Sequence, residues 1–271
     1  MNIYSELSNG VKIPKLGFGT FRVQDGKQTI DAVRTALEIG YRHIDAASIY
    51  DNEESVGQGI KESGVPREEI FITSKVWNTD QGYQNTLNAF ELSLKKLATD
   101  YLDLYLIHWP KELNKETWRA LEKLYKDGRV RAIGVSNFKE HHLIDLMKNA
   151  EIKPMVNQVE FHPQLAQPEL LKFCKENNIQ VVAWGPLMQG QLNKFGLFKE
   201  LSEKYNKTAA QIVLRWDIQQ GVVTIPKSIT PERIKSNADI FDFELTEEDM
   251  QKISMLNTGE RIGPDPDKIN F

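Results

Sequence analysis

One cysteine in 271 residues excludes a disulfide framework and any zinc site built on thiolates. That residue, Cys174, lies in PELLKFCKEN with Leu170 and Phe173 on one helix face, a packing position. No apolar run reaches the roughly 18 residues that a membrane-spanning helix needs. The opening MNIYSELSNG has neither the basic nor the apolar region of a secretory signal. Positive charge is not in excess either: 34 Lys and Arg against 38 Asp and Glu leave a net charge of -4, with no basic block. Nucleic acid is therefore not an expected partner. Two catalytic signatures are missing as well. Gly17-Phe18-Gly19 runs into Thr20-Phe21-Arg22 and Gly57-Gln58-Gly59 into Ile60-Lys61-Glu62, so neither is a Rossmann glycine fingerprint, and no G-x-S-x-G occurs. The expectation is a cytoplasmic monomer that acts on a small molecule, away from membranes and nucleic acid.

What is present is a strand–helix alternation. Residues 4 to 14 read as a β-hairpin, with Asn9-Gly10 suited to a type I′ turn. From Leu16 the apolar period switches back and forth. LGFGT, RHID, IFITSK, LDLYLI, VRAIGVS, PMVNQVE, IQVVAW and GVVTIP read as strands. Between them come helical stripes such as Ile30, Val33 and Leu37, or Leu87, Phe90, Leu94 and Leu97. The link after the seventh strand, LMQGQLNKFG, is long, and TAAQIVLRWDIQQG then reads as a helix. Eight strands rich in Val, Ile and Leu favour a closed (β/α)8 barrel over an open doubly wound sheet. The prediction is one domain over 1–271, an α/β TIM barrel with an N-terminal hairpin and an extra C-terminal helix, LTEEDMQKI, capped by Thr246. The tail GERIGPDPDKINF reads as a surface loop.

Active sites of such barrels lie where the strands end. YRHIDAASIY puts Asp45 and Tyr50 there, Lys75 closes IFITSK, and His108 closes YLDLYLIHWP. A structural Asp and a core Tyr would look the same, so the pair gains weight only from the two later strand ends. A phenol titrates near pH 10, and a neighbouring ammonium lowers that value. A carboxylate keeps the lysine charged, and an imidazole can orient a carbonyl oxygen or relay a proton. The set suits protonation of a carbonyl oxygen, and no side chain is an evident nucleophile for the carbon. A hydride donor would complete the reaction. Lys227, Ser228 and Arg233, in IPKSITPERIKSN at the end of the eighth strand, suit a phosphomonoester, with a solvated basic turn as the alternative.

In order and spacing, GYRHIDAASIYDNEESVGQGI, ITSKVW, YLIHWP, IGVSNF, NQVEFHP and IPKS with R-x-x-x-N resemble the aldo-keto reductases over essentially the whole chain. The likeness leans toward glyoxal or methylglyoxal reductases and the nearby diketogluconate reductases. It implies a (β/α)8 barrel that binds NADP(H) across the strand ends. Tyr50 would be the general acid, Lys75 the group lowering its pKa, Asp45 the partner of Lys75, and His108 the carbonyl-orienting group. Ser136, Asn137 and Gln158 match positions holding the nicotinamide carboxamide. Gly19, Thr20 and Phe21 match the first-strand loop bordering cofactor and substrate. Lys227, Ser228 and Arg233 match the 2′-phosphate site, and Asn237 the adenine contact. Two residues depart from the pattern: Trp184 stands where the family usually stacks a tyrosine on the nicotinamide, and Ser236 stands where many members carry an acid.

Other chemistry-bearing residues have plainer readings. His43 reads as structural, and His162, after the sixth strand, as a structural loop residue or as a neighbour of the site. Adjacent on a helix, His141 and His142 should point in different directions, so no metal site is expected. Trp77 and Trp109 follow the catalytic Lys and His as substrate walls or as rim packing. The resemblance implies that the segment after the fourth strand, the loop after the seventh and the tail wall the substrate pocket. With about eight residues between His108 and the helix near Trp118 and a short tail, the site should be shallow and open, framed by Phe21, Trp77 and Trp109. Such a site suits small carbonyls such as glyoxal and methylglyoxal. A sugar-acid ketone reductase is the alternative, and a cofactor-binding regulatory barrel is the alternative from another class.

Overall fold

A computed structural model describes residues 3–271. Two short strands come first, β1 (Tyr4–Glu6) and β2 (Lys12–Pro14), paired antiparallel. Eight parallel strands follow: β3 (Phe18–Gly19), β4 (His43–Asp45), β5 (Phe71–Val76), β6 (Leu102–Ile107), β7 (Val130–Ser136), β8 (Val156–Glu160), β9 (Gln180–Trp184) and β10 (Val223–Thr224). They pair in chain order, and the last meets the first. Leu16 bridges Thr224 in parallel. Gly17 N donates to Thr224 O and Thr224 N to Lys15 O, both at 2.9 Å. The sheet is the closed (β/α)8 barrel that the alternation predicts. Its central strands β5 and β6 are buried on both faces, as strands covered by helices must be.

The helices are α1 (Lys27–Ile39), α2 (Glu53–Ser63), α3 (Tyr83–Leu97), α4 (Asn114–Lys126), α5 (Glu140–Met147), α6 (Pro168–Glu176), α7 (Gly196–Tyr205), α8 (Ala209–Gln219), α9 (Pro231–Ala238) and α10 (Glu247–Ser254). Each buries one stripe: α1 covers the barrel with Ala32, Val33, Ala36 and Leu37 and stops at a left-handed Gly40. A capping box formed by Thr208 and Gln211 starts α8. Thr246 starts α10, accepting from Asp249 N at 3.3 Å. The strand–helix alternation does not call for α7. That helix buries only Phe198 and Leu201 and lies within the long link after β9. Cys174 is buried, its thiol pushed up to about 12 by that burial, which fits packing.

The hairpin turn departs from type I′. Gly10 has φ 84, but Asn9 is not among the residues with positive φ. Leu7 accepts from Gly10 N and donates to Val11 O, each at 2.8 Å, leaving a three-residue loop ending in left-handed Gly10. The side chain of Asn9 explains the choice. It accepts from Val11 N at 3.2 Å and donates to Arg131 O at 2.9 Å, tying the hairpin to the start of β7.

Candidate active site

Asp45 ends β4, Tyr50 lies in a short 3-10 turn after it, Lys75 is next to last in β5, and His108 follows β6. Barrel closure brings these strand ends together. Lys75 Nζ donates to Asp45 Oδ1 at 2.6 Å, to Ala46 O at 2.9 Å and to Tyr50 Oη at 3.2 Å. Three acceptors satisfy the three protons of an ammonium that is 0% exposed. The second oxygen of Asp45 accepts from Gln158 Nε2 at 2.7 Å. The His108 ring lies edge-on to Tyr50, with centroids 5.7 Å apart.

Burial and charge act against each other here. Burial disfavours the Lys75 ammonium, but Asp45 and Tyr50 outweigh it, and the amine sits above its ordinary value. Burial raises Tyr50, Lys75 lowers it, and the net direction is upward. Lys75 does act in the lowering direction that the resemblance implies, and burial adds a larger opposing influence that leaves the phenol protonated at neutral pH. His108 is pushed well below its usual range, first by burial and then by Lys75, so its imidazole is neutral.

The residues matched to the nicotinamide carboxamide do converge, and each already has partners. Ser136 Oγ donates to Gln158 O at 2.8 Å. Asn137, held at φ 64, donates from Nδ2 to His108 O at 2.9 Å and to Ser136 Oγ at 3.1 Å. Trp184 Nε1 donates to Asn137 Oδ1 at 2.8 Å, a bond that the usual tyrosine ring could not form in the same way. On the first-strand loop, Gly19 N donates to Pro226 O at 3.0 Å, and Thr20 Oγ1 to Asp45 O at 2.8 Å. Phe21 is exposed, and its ring lies 5.0 Å from that of Tyr50.

Across the barrel top, Ser228 Oγ accepts from Thr230 N at 3.2 Å just before α9, and Asn237 is buried within that helix. Lys227 and Arg233 are exposed, and among the described residues neither makes an ion pair. The Thr230 side chain does not cap α9. Two free cations beside uncapped helical N–H groups fit a phosphomonoester. They can hold the 2′-phosphate of an NADP-type cofactor without breaking existing pairs.

The tail after α10 adds a third aromatic ring to the rim beside Trp77 and Trp109. Phe271 stacks on Trp77, with centroids 5.7 Å apart and planes 2° from parallel, and lies edge-on to Trp109 at 5.5 Å. Trp77 in turn lies edge-on to His108 at 5.0 Å. The tail reaches this far because it is pinned twice. Glu160, buried at the end of β8, accepts from Ile262 N at 2.6 Å and Gly263 N at 2.9 Å through one oxygen. Lys139 pairs with Asp265 at 2.5 Å and Asp267 at 2.6 Å. The expected divergence of His141 and His142 fails at the same place, since Nε2 of each lies by Asp267 Oδ1, at 3.1 and 3.3 Å. At the start of α5 the Lys139 N–H donates to His142 Nδ1 at 3.1 Å and draws the ring back over its neighbour. That donation leaves the ring proton on His142 Nε2, facing Asp267, so the trio works as a clasp between α5 and the tail. His43 and His162 are buried, with Thr73 Oγ1 at 3.0 Å and Glu160 Oε1 at 3.2 Å as partners. Phe271, Glu160 and Gly263 were not singled out from the sequence, since nothing local to the tail tells where it docks.

The family model described as Aldo/keto reductase family matches residues 15–258. The chain belongs to this family. It is 63% identical over 267 residues to the Glyoxal reductase of Bacillus subtilis (strain 168), covering 98% of this chain and 97% of that one. It is 43% identical over 269 residues to the Methylglyoxal reductase DkgA of Escherichia coli (strain K12), covering 97% of each. Among solved structures, the Bombyx mori aldo-keto reductase in complex with NADP superposes with a TM-score of 0.92 at 37% identity, covering 97% of this chain and 95% of that one. The family assignment makes the chain an oxidoreductase.

Proposed function

We propose that this aldo-keto reductase uses NADPH to reduce small, electrophilic aldehydes and ketones, of the glyoxal and methylglyoxal kind, to alcohols. The observation that carries the reading is the buried Lys75 ammonium, which touches Asp45 and the Tyr50 hydroxyl at once. A regulatory barrel that only binds cofactor has no need of such a tuned phenol. NADPH, held at its 2′-phosphate by Lys227, Ser228 and Arg233, would supply the hydride. Asn237 would meet the adenine and Trp184 the nicotinamide face, with Ser136, Asn137 and Gln158 around its carboxamide.

The chain's own residues do the rest. Neutral His108 offers a hydrogen bond that orients the carbonyl oxygen. Tyr50 gives its proton to that oxygen as negative charge builds there. Lys75, close to the phenol oxygen, stabilises the phenolate left behind, and Asp45 keeps the ammonium charged and in place. Asp45 is itself held by Gln158 at its second oxygen and, through its carbonyl, by Thr20. Trp77, Trp109 and Phe271 would form the aromatic wall against which the substrate lies. Tyr50→Phe tests the assignment. NADPH titration should give near-native affinity, while methylglyoxal reduction falls by roughly 100- to 10,000-fold. Near-native kcat in that variant would reject Tyr50 as the acid.

A further inference from the structure

The Trp184 indole is held at two opposite edges. At one, Nε1 donates to Asn137 Oδ1 at 2.8 Å, and Asn137 passes the constraint on to the His108 carbonyl at 2.9 Å. At the other, the tail lies directly against the ring. A Cβ built on Gly263 would come within 2.3 Å of Trp184 Cη2 and 3.1 Å of Cζ3. Gly263 is not among the glycines with positive φ, so its backbone conformation is open to any residue. The indole makes by far the closest approach, with Glu160 Oε2 next at 3.3 Å. The glycine has no freedom to retreat, because its N–H and that of Ile262 share one oxygen of Glu160, a carboxylate 1% exposed. Arg261 Nη1 and His162 Nε2 approach the same carboxylate, at 3.5 and 3.2 Å. Burial raises the acid, but the hydrogen bonds from His162, Gly263 and Ile262 outweigh it and hold it below the ordinary carboxylate range.

We infer that Gly263 is a positioning residue for cofactor binding: pinned by Glu160, it backs the Trp184 indole and sets the angle at which the ring meets the nicotinamide. The inference rests on the reading above that Trp184 faces the nicotinamide. It assigns to the tail a grip on the cofactor in addition to its place over the substrate mouth.

The test uses Gly263→Ala, Trp184→Ala and the double variant. Each is titrated with NADPH and with 2′-phospho-ADP-ribose, a fragment without the nicotinamide. Gly263→Ala should weaken NADPH by about 3- to 10-fold, the range an aromatic contact contributes. Fragment affinity should not change, which also reports an intact fold and phosphate cluster. In the Trp184→Ala background the glycine substitution should cost less than about 2-fold, because the clash is gone and the two effects are not additive. The Trp184 indole N–H resonance should move in Gly263→Ala. Unchanged NADPH affinity in Gly263→Ala, or an equal loss in both backgrounds, overturns the proposal while leaving the Trp184 reading intact. Native NADPH affinity in Trp184→Ala alone removes the Trp184 reading and the proposal with it.

Discussion

Tyr50 is a phenol between two opposed influences. Lys75 next to it was legible from the strand ends, and so was the direction of its effect. Burial was not, because it depends on how eight strands pack. An acid acts in its protonated form, and a raised pKa extends that form to higher pH. Reductase kcat/KM should therefore stay level through neutrality and fall only above about pH 10, the ordinary tyrosine value. The depressed His108 moves its protonation step downward, so no limb should appear near about 6.5. A pH–rate profile with a limb at that value would show that the imidazole titrates during turnover. Glu160 was harder to find than either. In NQVEFHP it looks like one more polar residue, and its partners at Ile262 and Gly263 lie about a hundred positions away.

Among elements, the barrel strands and most helices were legible because each carries its own period. The exceptions lack such a signal. With only Phe198 and Leu201 buried, α7 has too thin a stripe to declare itself. The hairpin turn changed type because the Asn9 side chain found a partner on β7. The tail has no period at all, and its course is set by Glu160, Asp265 and Asp267. Each of these carboxyls sits below its ordinary value in the fold. Hydrogen bonds to Glu160 outweigh its burial, and the Lys139 ammonium acts on the two aspartates. Groups with depressed folded values stabilise fully above their unfolded values, about 4.3 for Glu and 3.9 for Asp. That support disappears as pH falls through the lower folded values. Hydrogen exchange should thus show residues 256–271 losing protection in acid before the barrel strands do. Simultaneous loss would mean that these pairs do not govern the tail.

At the scale of the molecule, the alternation of strands and helices predicted the barrel, and the barrel gathers Asp45, Tyr50, Lys75 and His108. The short connecting segments gave no sign that the tail docks at the mouth, where Phe271 joins Trp77 and Trp109. A rim built from these few rings offers little apolar area to a rigid polycyclic ketone, so kcat/KM should rank methylglyoxal above a ketosteroid. A steroid preference would contradict the aromatic frame, and a preference for a sugar-acid ketone would move the assignment to that relative class. Closure through Leu16 and Thr224 bears on the birth of the chain as well as on its chemistry. A ribosome delivers β3 long before β10, and in that interval the nascent sheet has two unpaired edges able to recruit a neighbouring polypeptide. The bonds that complete the barrel are also the ones that end its period of greatest vulnerability to aggregation.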